Sequence, residues 1–83
     1  MAESLGTELY LALIEALVAA RTDANIRQVE LAARLGKPQS FVSKYENRER
    51  ILDVAEFVVV AQALGVDPLE LIAQALGDLP QPS

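Results

Sequence analysis

Three residues, Gly36-Lys37-Pro38, separate two short stretches of helical pattern, and they limit how the chain can be laid out on either side. Glycine ends a helix by taking a positive φ that other residues avoid. Proline opens one cheaply, because the N–H it lacks would be unpaired in a first turn anyway. The stretch before the turn, Gln28-Val29-Glu30-Leu31-Ala32-Ala33-Arg34-Leu35, is apolar enough to pack. The stretch after it, Pro38 to about Glu46, offers a core only Val42 and, less plainly, Phe41 and Tyr45. Gln39, Ser40, Ser43 and Lys44 remain on its outer side.

Similar punctuation divides the rest of the chain. Asp53 with Glu56 three residues on is a capping-box pattern, Asp standing in for Ser or Thr. The helix it opens places Phe57, Val60, Ala61 and Leu64 at helical spacing and stops at Gly65. Phe57-Val58-Val59-Val60 alone would also suit a strand, but the cap before it and the glycine after it favour helix. A second box, Asp67-Pro68-Leu69-Glu70, opens a last helix that runs to Leu76, with Gly77 as its stop. Near the start, Ser4 can cap a helix to about Arg21, with Leu5, Leu9, Ala12, Leu13, Ala16, Leu17 and Ala20 as its apolar stripe. Thr22 to Arg27 is a polar break and Asn47 to Leu52 a charged loop. The expectation is an all-α chain of five helices without strands or repeats. One domain spans residues 1–77, and 78–83 form a flexible C-terminal tail.

Composition narrows the chemistry. Eighty-three residues suit a single domain, and 52% apolar content is enough for a core. Without cysteine there is no disulfide scaffold or thiolate metal site. Without histidine the commonest metal ligand and the usual general base are missing too. The carboxylates are dispersed or used as caps. A binding module without metal or cofactor is expected, not an enzyme. The start Met1-Ala2-Glu3-Ser4 lacks a signal peptide's cations, and Leu9 to Ala20 is interrupted by Glu15 and shorter than the roughly 20 residues a bilayer needs. A soluble cytoplasmic protein, not a membrane one, is expected.

The net charge of −5 looks wrong for a nucleic-acid binder until its distribution is read. All seven cations lie between Arg21 and Arg50. From Ile26 to Arg50, six cations face three acids, a net of +3, while the remainder carries Arg21 against nine acids. A basic middle sits between acidic ends. Inside that middle lie the two short helices, the second with few residues for the core and many for polar reach. That is the economy of a helix-turn-helix, whose second helix must enter a major groove about 12 Å wide.

The run Gln28 to Glu46, followed by Leu52-Asp53-Val54 and Ala63-Leu64-Gly65-Val66-Asp67-Pro68, resembles the Cro/CI-type helix-turn-helix regulators of bacteria and phage, also called the XRE family. The likeness covers roughly Arg21 to Leu71 and rests on Gln-x-x-Leu-Ala, then Gly, then Ser-x-x-Glu. It implies a compact five-helix, lambda-repressor-like fold that binds double-stranded DNA, often as a dimer, in transcriptional control. It also implies roles. Gln28 contacts phosphate and braces the recognition helix. Gln39, Ser40, Ser43 and Lys44 face base edges, and glutamine can pair bidentately with adenine. Asn47, Arg48 and Arg50 fall in the following loop and take phosphates, which hold register without reading sequence; by their charge beside the motif, Arg27 and Lys37 are expected to reach phosphates as well. The plainer reading keeps the two serines solvated, and leaves Lys44 and the loop arginines balancing Glu46 and Glu49. Glu46 itself reads as structural, because a carboxylate repels phosphate. Phe41 either touches a thymine methyl or packs.

Three positions depart from the family's pattern. Arg27 stands where Thr or Ser usually caps the helix, a loss on the order of 1 kcal/mol. Asn25 replaces a turn glycine, which asparagine tolerates. Arg48 replaces a frequent glycine after the recognition helix, so either Arg48 is strained or Asn47 takes the left-handed role. Finally, Tyr10, Ile14 and Val18 form a second apolar line on the first helix, and Val58 and Val59 flank the inward stripe of the fourth. These are either a wide core face or a subunit contact. A homodimer presenting paired recognition helices is the expected assembly. The rival is a protein-interaction module of antitoxin or adaptor type on the same fold.

Overall fold

The computed structural model describes residues 6–78. Five helices follow in order: α1 (Thr7–Asp23), α2 (Gln28–Leu35), α3 (Gln39–Glu46), α4 (Val54–Ala63) and α5 (Pro68–Gly77), with no strand among the described residues. None of these helices is long and apolar enough to cross a membrane. Ser4 lies outside the described residues; α1 begins after Gly6 and continues two residues past Arg21. Pro38 is extended and precedes α3 as its N-cap, while Gly77 lies inside α5 and Asp78 follows it as C-cap. The expected tail beyond Asp78 is outside the described residues.

One cluster of side chains holds the helices together. Leu17, Leu31, Val42 and Tyr45 are completely buried, joined by Ile14, Phe57, Val60, Ala61, Leu64 and Leu71. Each fully buried aliphatic side chain contributes about 1.5–3 kcal/mol of apolar transfer. α1 lies along α5, α2 against α3, and α4 joins α2 to α5. The short helix α3 thus rests on α2 and touches α1, and among the described residues its outer side chains Gln39, Ser40 and Lys44 stay exposed. Ile14 is 2% exposed and belongs to this core, so the second apolar line of α1 does not face outward as a unit. Tyr10 and Val18 are half-buried against the same cluster.

Four helix ends are closed by one device. Asn25, Gly36, Arg48 and Gly65 all take the left-handed conformation, with φ of 59°, 67°, 65° and 76°. Each donates its N–H three residues back, and the following residue donates five residues back, as in Lys37 to the Ala32 carbonyl at 2.9 Å and Glu49 to the Lys44 carbonyl at 2.8 Å. This is the Schellman closure, which satisfies carbonyls that a helix end would otherwise leave unpaired. Glycine suits it at Gly36 and Gly65, and asparagine accepts it at Asn25. After α3 the residue is Arg48, while Asn47 keeps a φ of −87°, so the strained alternative is the one adopted.

Helix starts follow the expected chemistry in part. The Asp53 carboxylate accepts the Glu56 N–H at 2.7 Å and Glu56 accepts the Asp53 N–H at 3.0 Å, a complete reciprocal box. Asp67 accepts from the Leu69 N–H at 2.9 Å, one residue nearer than a box. At α2 only half a box forms. Glu30 accepts the Arg27 N–H at 3.2 Å, but the Arg27 guanidinium has no acceptor to return it.

Candidate nucleic-acid interface

Helix α3 divides cleanly along its length. Val42 and Tyr45 are buried, Phe41, Ser43 and Glu46 half-buried, and Gln39, Ser40 and Lys44 exposed. Gln39, Ser40, Ser43 and Lys44 are spaced i, i+1, i+4 and i+5, which puts them on one side of the helix. The Gly36 closure and the extended Pro38 set the start of that side, with Lys37 exposed beside it.

Behind this face runs a hydrogen-bond chain that ties α3 to α1 and α2. Arg21, in the last turn of α1, grips the Glu46 carboxylate with two donors, Nε to Oε2 at 2.7 Å and Nη2 to Oε1 at 3.0 Å. Its third donor, Nη1, holds the Ile26 carbonyl at 2.8 Å. Gln28 Nε2 donates to Glu46 Oε1 at 2.8 Å, and Gln39 Nε2 donates to Gln28 Oε1 at 3.4 Å. Both charged side chains of the pair are largely buried. The hydrogen bonds to Glu46 raise the Arg21 pKa further above its already high value. Arg21 also offsets the cost of a carboxylate at a helix C-terminus, where the helix dipole is negative. The Glu46 carboxylate is therefore paired within the protein, and Gln28 links it to the Gln39 side chain.

The rim is less uniform. The Phe41 ring meets Tyr45 edge-on at 5.8 Å, and the Arg50 guanidinium lies over it 4.7 Å from the ring centroid. Lys37 Nζ stands 5.8 Å from the same ring. Arg50 is further engaged by the Glu56 carboxylate through two bonds of 3.0 and 2.8 Å. Its hydrogen bonds with Glu56 raise the Arg50 pKa and hold the Glu56 carboxyl down to about 2. Phe41 thus packs beneath a cation, and Arg50 is less available than its place in a charged loop implied. Arg48 makes one long contact, 3.4 Å to Glu15 on α1, and Arg27 one of 3.6 Å to Glu30, both with exposed guanidinium groups. Asn47 and Lys44 are exposed as well.

Comparison with known proteins bears on this arrangement. A family model described as helix-turn-helix matches residues 17–71, about two thirds of the chain. The chain belongs to the XRE-type helix-turn-helix family. A solved structure described as an XRE-family like protein from Pseudomonas syringae pv. tomato str. DC3000 is similar to it at 47% identity and a TM-score of 0.87, covering 95% of this chain and 96% of that one. No curated protein matches. The family is one of DNA-binding regulatory domains and not of enzymes.

Within this XRE-family domain the contacts that organise the site come mainly from residues outside the motif helices or at their margins. Arg21 was visible in the sequence only as the one cation outside the basic middle, and nothing marked Glu46 as its partner. Tyr10 accepts the Leu52 N–H at 3.0 Å, anchoring the end of the charged loop to α1. Arg34 Nη1 holds the Ala63 carbonyl at 2.9 Å, tying α2 to the end of α4. The outward apolar surface includes Val59 but extends beyond the expected residues. Val58 is half-buried and Val59 is 53% exposed, but Val54 at 83% and Leu69 at 72% are more open. A groove of about 140 Å³ beside Val54 is lined by Tyr10, Leu13, Leu52, Phe57 and Ile72.

Proposed function

We propose that this XRE-family domain is a sequence-specific DNA-binding repressor that acts as a homodimer, with α3 in the major groove. In this reading Gln39, Ser40, Ser43 and Lys44 meet base edges. Arg27, Lys37, Asn47 and Arg48 take phosphates, with Gln28 at the backbone and Arg50 contributing charge from its bridge to Glu56. The observation that carries it is the outer side of α3: four polar side chains on one face, three of them exposed and Ser43 half-buried, with no other helix over them among the described residues and exposed cations beside them. The open apolar side chains Val54, Val59 and Leu69 support association of two copies, with Tyr10, Val18 and Val58 contributing where they emerge from the core. A dimer would place its recognition helices on half-sites about 34 Å apart.

Selection of bound sites from pooled random duplexes tests this. Enrichment of one inverted repeat with half-sites about one helical turn apart is the expected result. Failure to enrich any motif, with capture of a protein partner through α3 instead, would leave the interaction-module reading in its place. Light scattering at micromolar concentration, free and on the selected duplex, checks the dimer; a monomer in both conditions ends that part.

A further inference from the structure

Resting on the reading of Gln39 as a base contact, we infer that Glu46, which touches no DNA in that reading, decides which base Gln39 accepts. An ionised carboxylate has only acceptors, and Glu46 Oε1 lies 2.8 Å from the Gln28 amide. Gln28 must therefore turn its NH2 toward Glu46. Its carbonyl oxygen is left facing Gln39, which in turn must offer its own NH2 at 3.4 Å. Arg21 holds the carboxylate with two bonds, so the first member of the series is fixed in place.

The consequence appears at the exposed end. With one N–H committed to Gln28, Gln39 presents a free carbonyl oxygen and one remaining N–H. That pair complements the major-groove edge of adenine, whose N6 amino group donates and whose N7 accepts. Guanine presents two acceptors, O6 and N7, and a glutamine could serve it only by turning both N–H groups outward. Doing so would aim the Gln39 oxygen at the Gln28 oxygen. Glu46 is thus a positioning residue that excludes guanine from two side chains away.

The test reads base preference at one position of the selected site. Wild-type protein should favour adenine over guanine there by roughly tenfold or more, the scale of one bidentate contact. In Glu46→Gln the acceptor-only end is gone, since the amide introduced there can offer Gln28 either an oxygen or an NH2. The adenine-to-guanine ratio should then fall to within about threefold, with preferences at the other positions unchanged. Gln28→Met keeps the volume and removes the middle of the series; it should produce the same local collapse. If Glu46→Gln does not melt cooperatively, Glu46→Asp decides the matter: it keeps a charge for Arg21 but draws the carboxylate back from Gln28, and an unchanged ratio would overturn the inference. A merely structural role for Glu46 would lower affinity for every sequence alike and leave the ratio at its wild-type value, which would overturn the inference. Gln39→Ala separates the two levels. If it erases the preference while Glu46→Gln and Gln28→Met keep it, the relay is wrong and the base contact stands. If Gln39→Ala changes no preference, the base contact itself is wrong and the inference falls with it.

Discussion

Arg48 holds a φ of 65°, a conformation that costs an L-residue with a side chain roughly 1–2 kcal/mol. The closure of α3 demands it: the Arg48 N–H reaches the Tyr45 carbonyl at 3.1 Å and the Glu49 N–H reaches the Lys44 carbonyl. Glycine would meet the same demand without strain, less the entropy it adds to the unfolded chain. Arg48→Gly should therefore stabilise the domain by about 0.5–1 kcal/mol and, in the proposed function, weaken binding to cognate and random DNA alike. Thermal melts and gel shifts with both duplexes check the two halves. Tyr45 is a second residue whose chemistry works against stability. Its hydroxyl is buried with no hydrogen-bond partner among the described residues, and burial pushes its pKa well above the ordinary value. The ring itself fills the core and supports Phe41. Tyr45→Phe keeps the ring and removes the unpaired hydroxyl, so it should raise stability by about 1 kcal/mol, read from denaturant midpoints at constant m-value.

Among the elements, α4 carries the most informative terminus. Glu56 completes the capping box with Asp53 and also binds Arg50, so one carboxylate ties the helix start to the loop that follows α3. Its folded pKa of about 2 lies below the unfolded value of about 4.3. A depressed carboxyl stabilises the fold when ionised. The contribution is complete above about pH 5 and is lost as the pH falls toward about 2. Melting temperature should decline across that window. Glu56→Gln should melt lower at neutral pH and show a shallower decline, because the group that titrates is absent. A difference curve between the two proteins isolates the effect from Glu30, whose pKa is also lowered, chiefly by the Arg27 N–H. The Arg50–Glu56 pair is partly open to solvent, so added salt should reduce the difference.

At the scale of the whole molecule, charge is segregated. The basic middle from Ile26 to Arg50 lies within an otherwise acidic chain of net charge −5. In the proposed function, acids outside the docking face should repel a duplex that approaches in any other orientation and so lower non-specific affinity. Binding should still weaken with salt, but by the release expected for a handful of phosphates per subunit, a logarithmic slope of magnitude about 4. Arg48→Ala should reduce that slope by about 1 per subunit. Titrations at several salt concentrations check both figures; an unchanged slope would remove Arg48 from the phosphate contacts.

Local rules in the sequence were enough for the helices themselves. Apolar spacing, Asp53 and Asp67 as caps, and Gly36 and Gly65 as stops act within one or two turns, so they can be read without knowing the fold. The same rules singled out the polar side of α3, because a helix of eight residues with two buried side chains leaves the others outside. Contacts between residues distant in the chain could not be read in this way. Arg21 and Glu46 are 25 positions apart, Tyr10 and Leu52 are 42, and which acid meets which cation depends on how α1 crosses α3. Folding likewise turned Ile14 inward and gave the left-handed turn to Arg48 instead of Asn47, since packing and carbonyl pairing outweigh the preference of a single residue. The physical reason is range: propensity and capping decide where a helix lies along the chain, whereas burial and the pairing of buried charges are decided only once the helices have met.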